Sequence, residues 1–158
     1  MIRSATLQDF DRIMELMINF ANHSPWAPHH NPMYNDHYVR NLLTSFLTQG
    51  CKLVAQPQSN QTPQPDQIQG MLIATTVSDP WLPHVKTLKE LAWWVEPEYR
   101  HTSMGYRLLQ KYIECGKKMV EKNMVHGFTL TNMSISPDFD LEKRGWNKVE
   151  TNYVYGDV

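Results

Sequence analysis

The feature that most constrains the fold is an apolar strand that leads, through a proline turn, into the longest helix of the chain. Leu88 to Val95 is predicted to be a strand, and its near-continuous apolar end indicates burial on both faces in the middle of a sheet. Ser103 to Lys122 is predicted to be an amphipathic helix, because its apolar residues recur on one side. Phe128 to Thr131 follows as a strand. A β-α-β step of this kind favours a parallel pair of strands.

The remaining periodic segments predict an α/β fold with a mixed central sheet. Thr6 and Asp9 form a capping-box-like pair that begins a helix, and a second helix starts near Asn35 or Asp36 and stops at Gly50. A short helix over Asp138 to Lys143 is closed by Gly145. The second to fourth strands are expected to form an antiparallel meander, followed by a parallel pair made by the fourth and fifth. The other predicted strands are Ile2 to Ala5, Lys52 to Ala55, Met71 to Val77 and Val149 to Tyr155.

Length and composition predict a single domain over residues 1–158, with a flexible Gln/Pro-rich loop at 57–67. The formal net charge of -1 gives no reason to expect a nucleic-acid partner. No apolar run is long enough to span a bilayer, and no signal-peptide pattern opens the chain. We therefore expect a cytoplasmic protein without a membrane partner, in which Cys51 and Cys115 are free thiols.

The N-terminus of the long helix is a candidate anion site. The first amides of a helix have no intrahelical partners, and the helix dipole places about half a positive charge there. Arg100 lies just before this helix and could add a charge-assisted bond, while Gly105 lets the backbone approach a ligand. These residues predict a phosphate or pyrophosphate at this point in the chain.

The same residues resemble the acetyl-CoA motif of the GNAT acetyltransferase superfamily. That motif reads Val-x-Pro-x-x-Arg, then Arg/Gln-x-x-Gly-x-Gly/Ala, and it is matched by Val95 to Arg100 followed by Ser103-Met104-Gly105. The opening Ile2-Arg3, Thr131-Asn132 after the fifth strand, and Leu141 to Trp146 also resemble segments of that family. Two positions depart from the pattern, since Ser103 replaces a glycine and Leu141 replaces the usual tyrosine.

The resemblance implies an N-acetyltransferase that uses acetyl-CoA as co-substrate. The amine would attack the thioester directly within a ternary complex, and a backbone N–H of the fourth strand would polarise the carbonyl. The pantetheine arm would lie along that strand, and the pyrophosphate on the helix N-terminus. The residues expected to bind the cofactor are Trp94, Val95, Arg100, His101, Thr102, Ser103, Met104, Gly105, Tyr106 and Asn132.

The resemblance also indicates which side chains would move protons. Glu90 lies on the fourth strand and is the candidate base, because an ammonium must lose a proton before it can attack. Leu141 cannot donate a proton to the leaving thiolate, so we consider Tyr153, with Tyr155 as an alternative. Two further hypotheses remain: a catalytically weak module that acts through protein contacts, and an acyltransferase that uses a longer acyl-CoA.

The acceptor and the assembly state are not specified by any motif. The acceptor is an amine-bearing small molecule or protein, and the Trp26–His37 loop is expected to shape its pocket. A homodimer is compatible with the family. Histidines cluster in and around this loop, but their spacing is unlike that of structural zinc sites, so no metal is predicted. These histidines are His23, His29, His30 and His37.

Overall fold

The computed structural model describes residues 1–25, 27, 36–57, 64–133, 136 and 140–153. Three helices lie in these segments: α1 (Phe10–Asn22), α2 (Asp36–Thr48) and α3 (Met104–Glu121). Five strands lie there too: β1 (Ile2–Ser4), β2 (Cys51–Ala55), β3 (Gly70–Ser78), β4 (Lys86–Val95) and β5 (Gly127–Thr129). Short 3-10 helices cover Leu7–Asp9, Pro65–Gln67, Pro97–Tyr99 and Glu142–Arg144.

The strands form one mixed sheet in the order β1-β2-β3-β4-β5. The pairs β1–β2, β2–β3 and β3–β4 are antiparallel, and β4–β5 is parallel. The parallel pair is short, because only Thr87 to Lys89 of β4 pair with Gly127 to Thr129 of β5. The predicted mixed sheet, with its antiparallel first half and parallel fourth and fifth strands, is confirmed.

A β-bulge interrupts the pairing of β3 with β4. Ile73 lies opposite Ala92, but its neighbour Ala74 lies opposite Glu90, so Leu91 is an extra residue in β4 without a partner in the register. A bulge of this kind bends the strand and re-aims the side chains that follow it.

The bulge reverses which side chains of β4 face each layer. Leu88 packs in the layer between the sheet and α3, whereas Ala92 and Trp94 pack in the opposite layer with α1 and α2. Strict alternation would have placed all three on one face. Trp93 packs against the α3 layer, so the two adjacent tryptophans face opposite sides as predicted from their adjacency.

Two apolar layers cover the sheet. Ile13 and Leu16 of α1 pack with Leu43 and Leu47 of α2 in the first, and none of the four is more than 3% exposed. Leu108 and Tyr112 of α3 are fully buried in the second layer. Packing on both faces explains the near-continuous apolar end of β4, because its neighbours on each side bury it.

Some predicted elements differ from those observed. Residues 149–153 form no strand, so the prediction of a strand there was wrong for the described residues. Val149 is 82% exposed and Tyr153 is 91% exposed. Among the described residues, no strand lies beside this segment to pair with it. Residues 138 and 139 of the predicted Asp138–Lys143 helix lie outside the described residues. Its described part contributes to a 3-10 turn over Glu142–Arg144, which Gly145 closes with a φ of 84°.

Other predictions fall partly outside the described residues. Within the predicted flexible loop at 57–67, residues 58–63 lie outside them, and Pro65–Gln67 form a 3-10 turn. Most of the Trp26–His37 loop, including His29 and His30, lies outside them, as does Tyr155. Among the helices that the structure describes, none is both long and apolar enough to cross a membrane.

Candidate functional site

The parallel strands β4 and β5 separate after three paired residues and leave a fork in the sheet. β5 ends at Thr129, whereas β4 continues to Val95. Beyond Lys89, no described strand pairs with β4 on this side. The backbone of Leu91 to Val95 therefore borders an opening that could pair with an extended ligand.

A buried tyrosine of α3 closes the apex of this fork. The Tyr112 hydroxyl lies 2.7 Å from the carbonyl oxygen of Thr129 and 3.2 Å from that of Leu88, and it donates to these two acceptors. One of these carbonyls belongs to β5 and the other to β4, so the hydroxyl bridges the two strands where they begin to separate. Burial, followed by the charge of Glu90, raises the pKa of Tyr112 well above its usual value. The hydroxyl therefore stays protonated and serves as a donor. Sequence reasoning assigned Tyr112 only to an apolar face.

Glu90 lies just inside the fork. Its side chain is 6% exposed, and its Oε2 accepts a hydrogen bond from the Thr131 amide at 3.2 Å. Burial raises the pKa of Glu90 from 4.5 to about 7, although the Thr131 bond and the charge of Lys89 act in the opposite direction. A carboxylate with this pKa can take up a proton near neutral pH, as a general base must.

The N-terminus of α3 borders a cavity of about 190 Å³. Thr102 precedes the N-cap residue Ser103, and its Oγ1 accepts a hydrogen bond from the Met104 amide at 3.2 Å and donates one to the Tyr99 carbonyl at 2.6 Å. The first bond of the helix repeat runs from the Arg107 amide to the Ser103 carbonyl. The amides of Gly105 and Tyr106 precede it and lie in the helix's donor-rich first turn. The predicted binding residues that line the cavity are Thr102, Ser103 and Met104.

Serine is compatible with the backbone at the position where the motif has glycine. Ser103 has a φ of -74°, which any residue adopts without strain. The replacement therefore does not by itself distort the loop. Arg107 also lines this cavity, and the Arg144 guanidinium lies 5.0 Å from the centre of the Tyr106 ring. Two cations thus lie near the helix N-terminus that the motif alone did not indicate.

Arg100 is held at the end of β4. Its Nε donates to the Val95 carbonyl at 2.9 Å, and its guanidinium lies 4.3 Å from the centre of the Trp94 ring. These contacts stabilise the turn between β4 and α3. The contact of Arg100 with a phosphate stays a prediction.

Glu96 joins the end of β4 to α1, a relationship that sequence reasoning missed. Its carboxylate accepts bonds at 3.1 Å from Arg12, Asn19 and the Trp94 indole N–H. A second cavity of about 390 Å³ lies here. Its lining residues are Arg12, Asn19, His23, Trp94, Glu96, Pro97, Glu98 and Tyr99. A carboxylate directly after the apolar end of β4 was the signal, but its partners Arg12 and Asn19 are distant in sequence.

The other predicted site residues lie outside the fork's apex. Asn132 and His101 are exposed, and Tyr153 is 91% exposed in a segment without regular structure. The centre of the His23 ring lies 4.9 Å from that of Trp94, with the two planes tilted by 49°, and His37 contacts Asn41 at 3.2 Å. The roles proposed for Tyr153 and Asn132 stay predictions.

Comparison with known proteins bears on the fold. The sequence matches no family model and no curated protein. The structure resembles a possible acetyltransferase from Clostridium difficile 630, with a TM-score of 0.62 and 18% identity over 100% of this chain and 97% of that one. For a Trypanosoma brucei acetyltransferase the TM-score is 0.65 and the sequence identity is 16%, over 99% of this chain and 98% of that one. For a ribosomal-protein-alanine N-acetyltransferase from Brucella melitensis biovar Abortus 2308 the TM-score is 0.62 and the sequence identity is 15%, over 99% of both chains.

The chain has the GNAT-type acetyltransferase fold. Beyond Lys89, the outer edge of β4 is extended and has no strand partner among the described residues, and the first-turn amides of α3 with Arg107 beside them suit an anion. The open edge of β4 therefore lies before the Pro97 turn, and the helix N-terminus with its nearby cations lies after it.

Proposed function

We propose that this chain transfers an acetyl group from acetyl-CoA to a primary amine by direct attack within a ternary complex. The observation that carries the proposal is the position of Glu90, which lies buried beside the bulge of β4 with a pKa of about 7. A carboxylate in such a position is suited to accept the proton of an ammonium acceptor. The GNAT fold supports the acyl donor.

The remaining parts of the proposed site follow from the backbone. Acetyl-CoA would supply the acetyl group as an activated thioester. The open edge of β4 near Leu91 would orient the acyl carbonyl through a backbone N–H, and the α3 N-terminus with Arg107 would hold the pyrophosphate. Glu90 would accept the amine proton, directly or through water. The acid that protonates the leaving thiolate stays open, with Tyr153 as the candidate.

The first test is cofactor binding, measured by thermal unfolding with and without acetyl-CoA. A ligand at about 100 times its Kd stabilises a fold by about 2.7 kcal/mol. Ser103→Asp adds a negative charge at the α3 N-terminus and is expected to weaken binding at least about tenfold through charge repulsion. Ser45→Asp, on the exposed face of α2, is the control and should keep the full ligand-induced shift. The absence of any shift at millimolar acetyl-CoA would reject the cofactor assignment.

The second test is turnover, followed by release of the CoA thiol with a panel of amines and acyl-CoAs of increasing length. Glu90→Gln is expected to lower kcat/KM by about 10² to 10⁴. The matched control is Glu121→Gln, at an exposed position near the end of α3. Preference for longer thioesters would favour the acyltransferase hypothesis. Binding without turnover for any amine would favour a non-catalytic module.

A further inference from the structure

Two side chains connect β4 and β5 where these strands separate. At the apex of the fork, the Tyr112 hydroxyl lies 2.7 Å from the carbonyl oxygen of Thr129 and 3.2 Å from that of Leu88. Two residues further along each strand, the Thr131 amide donates a hydrogen bond to Oε2 of Glu90 at 3.2 Å. Side-chain hydrogen bonds therefore continue the connection between the strands beyond their last backbone pair.

The two oxygens of the Glu90 carboxylate have different surroundings. Oε2 accepts the bond from the Thr131 amide, whereas no described residue donates a hydrogen bond to Oε1. Every fully buried side-chain oxygen or nitrogen among the described residues has a hydrogen-bond partner, so Oε1 retains contact with solvent although the residue is 6% exposed. The fold thus fixes one oxygen and leaves the other available to an acceptor amine.

The position of the Thr131 amide depends on the apex of the fork. Thr131 follows Thr129 by two residues, and β5 has only three paired residues that fix it against β4. Tyr112 is fully buried, and its ring meets the Phe128 ring edge-on with the two centres 5.9 Å apart. The bond to Glu90, at 3.2 Å, is at the long end of the usual range, so a small shift of β5 would break it.

We propose that Tyr112 is a positioning residue for Glu90. Its hydroxyl fixes the separation of β4 and β5 at the apex, which sets the Thr131 amide against Oε2 and leaves Oε1 to accept a proton from the acceptor amine. The proton moves to Oε1, and the electron pair that held it stays on the nitrogen and attacks the thioester. This inference rests on the proposed function, because amine transfer supplies the proton.

The direct test follows the titration of Glu90 by carbon-13 NMR of the glutamate side chains, with Glu90→Gln used to assign its signal. Tyr112→Phe keeps the ring and removes the hydroxyl, so the Thr131 bond should loosen. Because that bond lowers the pKa of Glu90, the midpoint of its titration should move to higher pH. The charge of Lys89 also acts on Glu90, and it is the same in both proteins. An unchanged midpoint would overturn the inference.

Gly116→Ala is the matched control. It places a Cβ atom against the Phe128 ring about one turn along the same helix, so it disturbs the packing of α3 but keeps the Tyr112 hydroxyl. The midpoint for Glu90 in this variant should equal that of wild type, and an equal shift in both variants would mean that packing alone sets it. If Tyr112→Phe does not fold in plain buffer, all the proteins are compared in a stabilising osmolyte.

Turnover distinguishes this inference from the proposed function. At pH 7, Tyr112→Phe should lower kcat by about tenfold to 10²-fold and change the KM for acetyl-CoA by less than about twofold, because the base is misplaced and the cofactor site is untouched. The pH profile of kcat/KM should shift with the Glu90 titration. A loss confined to KM would contradict the inference. Absence of turnover in wild type would reject the proposed function, and the NMR midpoint would still decide whether Tyr112 positions the carboxylate.

Discussion

The Thr131 amide donates a hydrogen bond to the Glu90 carboxylate across the opening between β4 and β5, with an N–O distance of 3.2 Å. Thr131 follows the last paired residue of β5, where its amide no longer has a strand partner. Glu90 supplies the acceptor that continued strand pairing would have provided for this amide. The candidate base is therefore also part of the fork's hydrogen bonding.

The buried state of Glu90 predicts a pH-dependent stability. Because burial raises its pKa from 4.5 to about 7, the native state keeps a proton that the unfolded state has already released between these values. The free energy of unfolding contributed by Glu90 is therefore present below pH 4.5 and falls as the pH rises to about 7. Glu90→Gln lacks this proton equilibrium, so relative to wild type the variant should gain up to about 3 kcal/mol from pH 4.5 to pH 8.

Urea unfolding of both proteins across this pH range measures the difference. Glu121→Gln, at an exposed position, is the control and should follow the wild-type curve. Parallel curves for wild type and Glu90→Gln would mean that Glu90 is not protonated in the native state near pH 6.

The hydrogen bonding of the Tyr112 hydroxyl should contribute measurably to the stability of the fork. Tyr112→Phe leaves the Thr129 and Leu88 carbonyls without this donor, which should cost about 1–2 kcal/mol of stability. Amide hydrogen exchange should become faster for Gly127 to Thr129 than for β2, because the lost bond is local. Tyr106→Phe, on the exposed side of α3, should leave both measurements unchanged. Equal acceleration in both strands would argue against a local role for the hydroxyl.

The buried ion pair of Asp9 with Arg3 should also contribute to the stability of the fold. Asp9 is 1% exposed, and its carboxylate binds both terminal nitrogens of Arg3 at 2.7 Å. Burial alone would raise the pKa of Asp9, but the bonds from Arg3 and Thr6 outweigh it and hold the pKa below its usual value. Its stabilisation is therefore present above about pH 4 and is lost as the pH falls further.

Asp9→Asn should lower the free energy of unfolding at pH 7 by about 2–3 kcal/mol, because Arg3 loses its charge partner at a largely buried site. Asp11→Asn is the control. Asp11 is 87% exposed and lies 3.3 Å from Arg40, so its loss should cost less than about 0.5 kcal/mol. Chemical denaturation at pH 7 and pH 3 compares the two. An equal loss of stability in Asp9→Asn and Asp11→Asn would contradict a special contribution of the buried Asp9–Arg3 ion pair.

The lack of a side chain at Gly116 allows α3 to pack closely against Phe128 of β5. A Cβ atom there would lie 2.5 Å from Cγ of Phe128, whose ring is packed edge-on between Tyr112 and Trp146. Gly116→Ala should therefore lower stability by about 1 kcal/mol, since overpacking exceeds the gain in helix propensity.

In a Phe128→Leu background the same substitution should be neutral or stabilising, because the ring that obstructs it is absent. Gly127→Ala, where a Cβ meets nothing within 4 Å, is the control and should change stability by less than about 0.5 kcal/mol. Thermal or urea unfolding of the four proteins gives the coupling between residues 116 and 128. A coupling of zero would mean that the helix approaches β5 less closely than the structure shows.

The sequence by itself determined the elements and their order. Apolar periodicity located α1, α2, α3 and the first five strands to within a few residues, because burial of one face imposes the period of each element. The connections between β2, β3 and β4, in which no helix was predicted, favoured antiparallel pairing, and the helical crossover to β5 favoured a parallel pair. Glu90 and the residues of the α3 N-terminus were identified from the resemblance to the GNAT motif, together with their place on these elements.

Only the tertiary structure decided what those residues touch. The bulge at Leu91 depends on the register of two strands and turns Glu90 and Trp94 to opposite faces, which no local pattern encodes. Glu96 is bound by Arg12 and Asn19, and Tyr112 binds Leu88 and Thr129. These partners are 17 to 84 residues away in sequence, so their contacts exist only once the layers pack. Burial, and with it the raised pKa of Glu90, is a property of that packing.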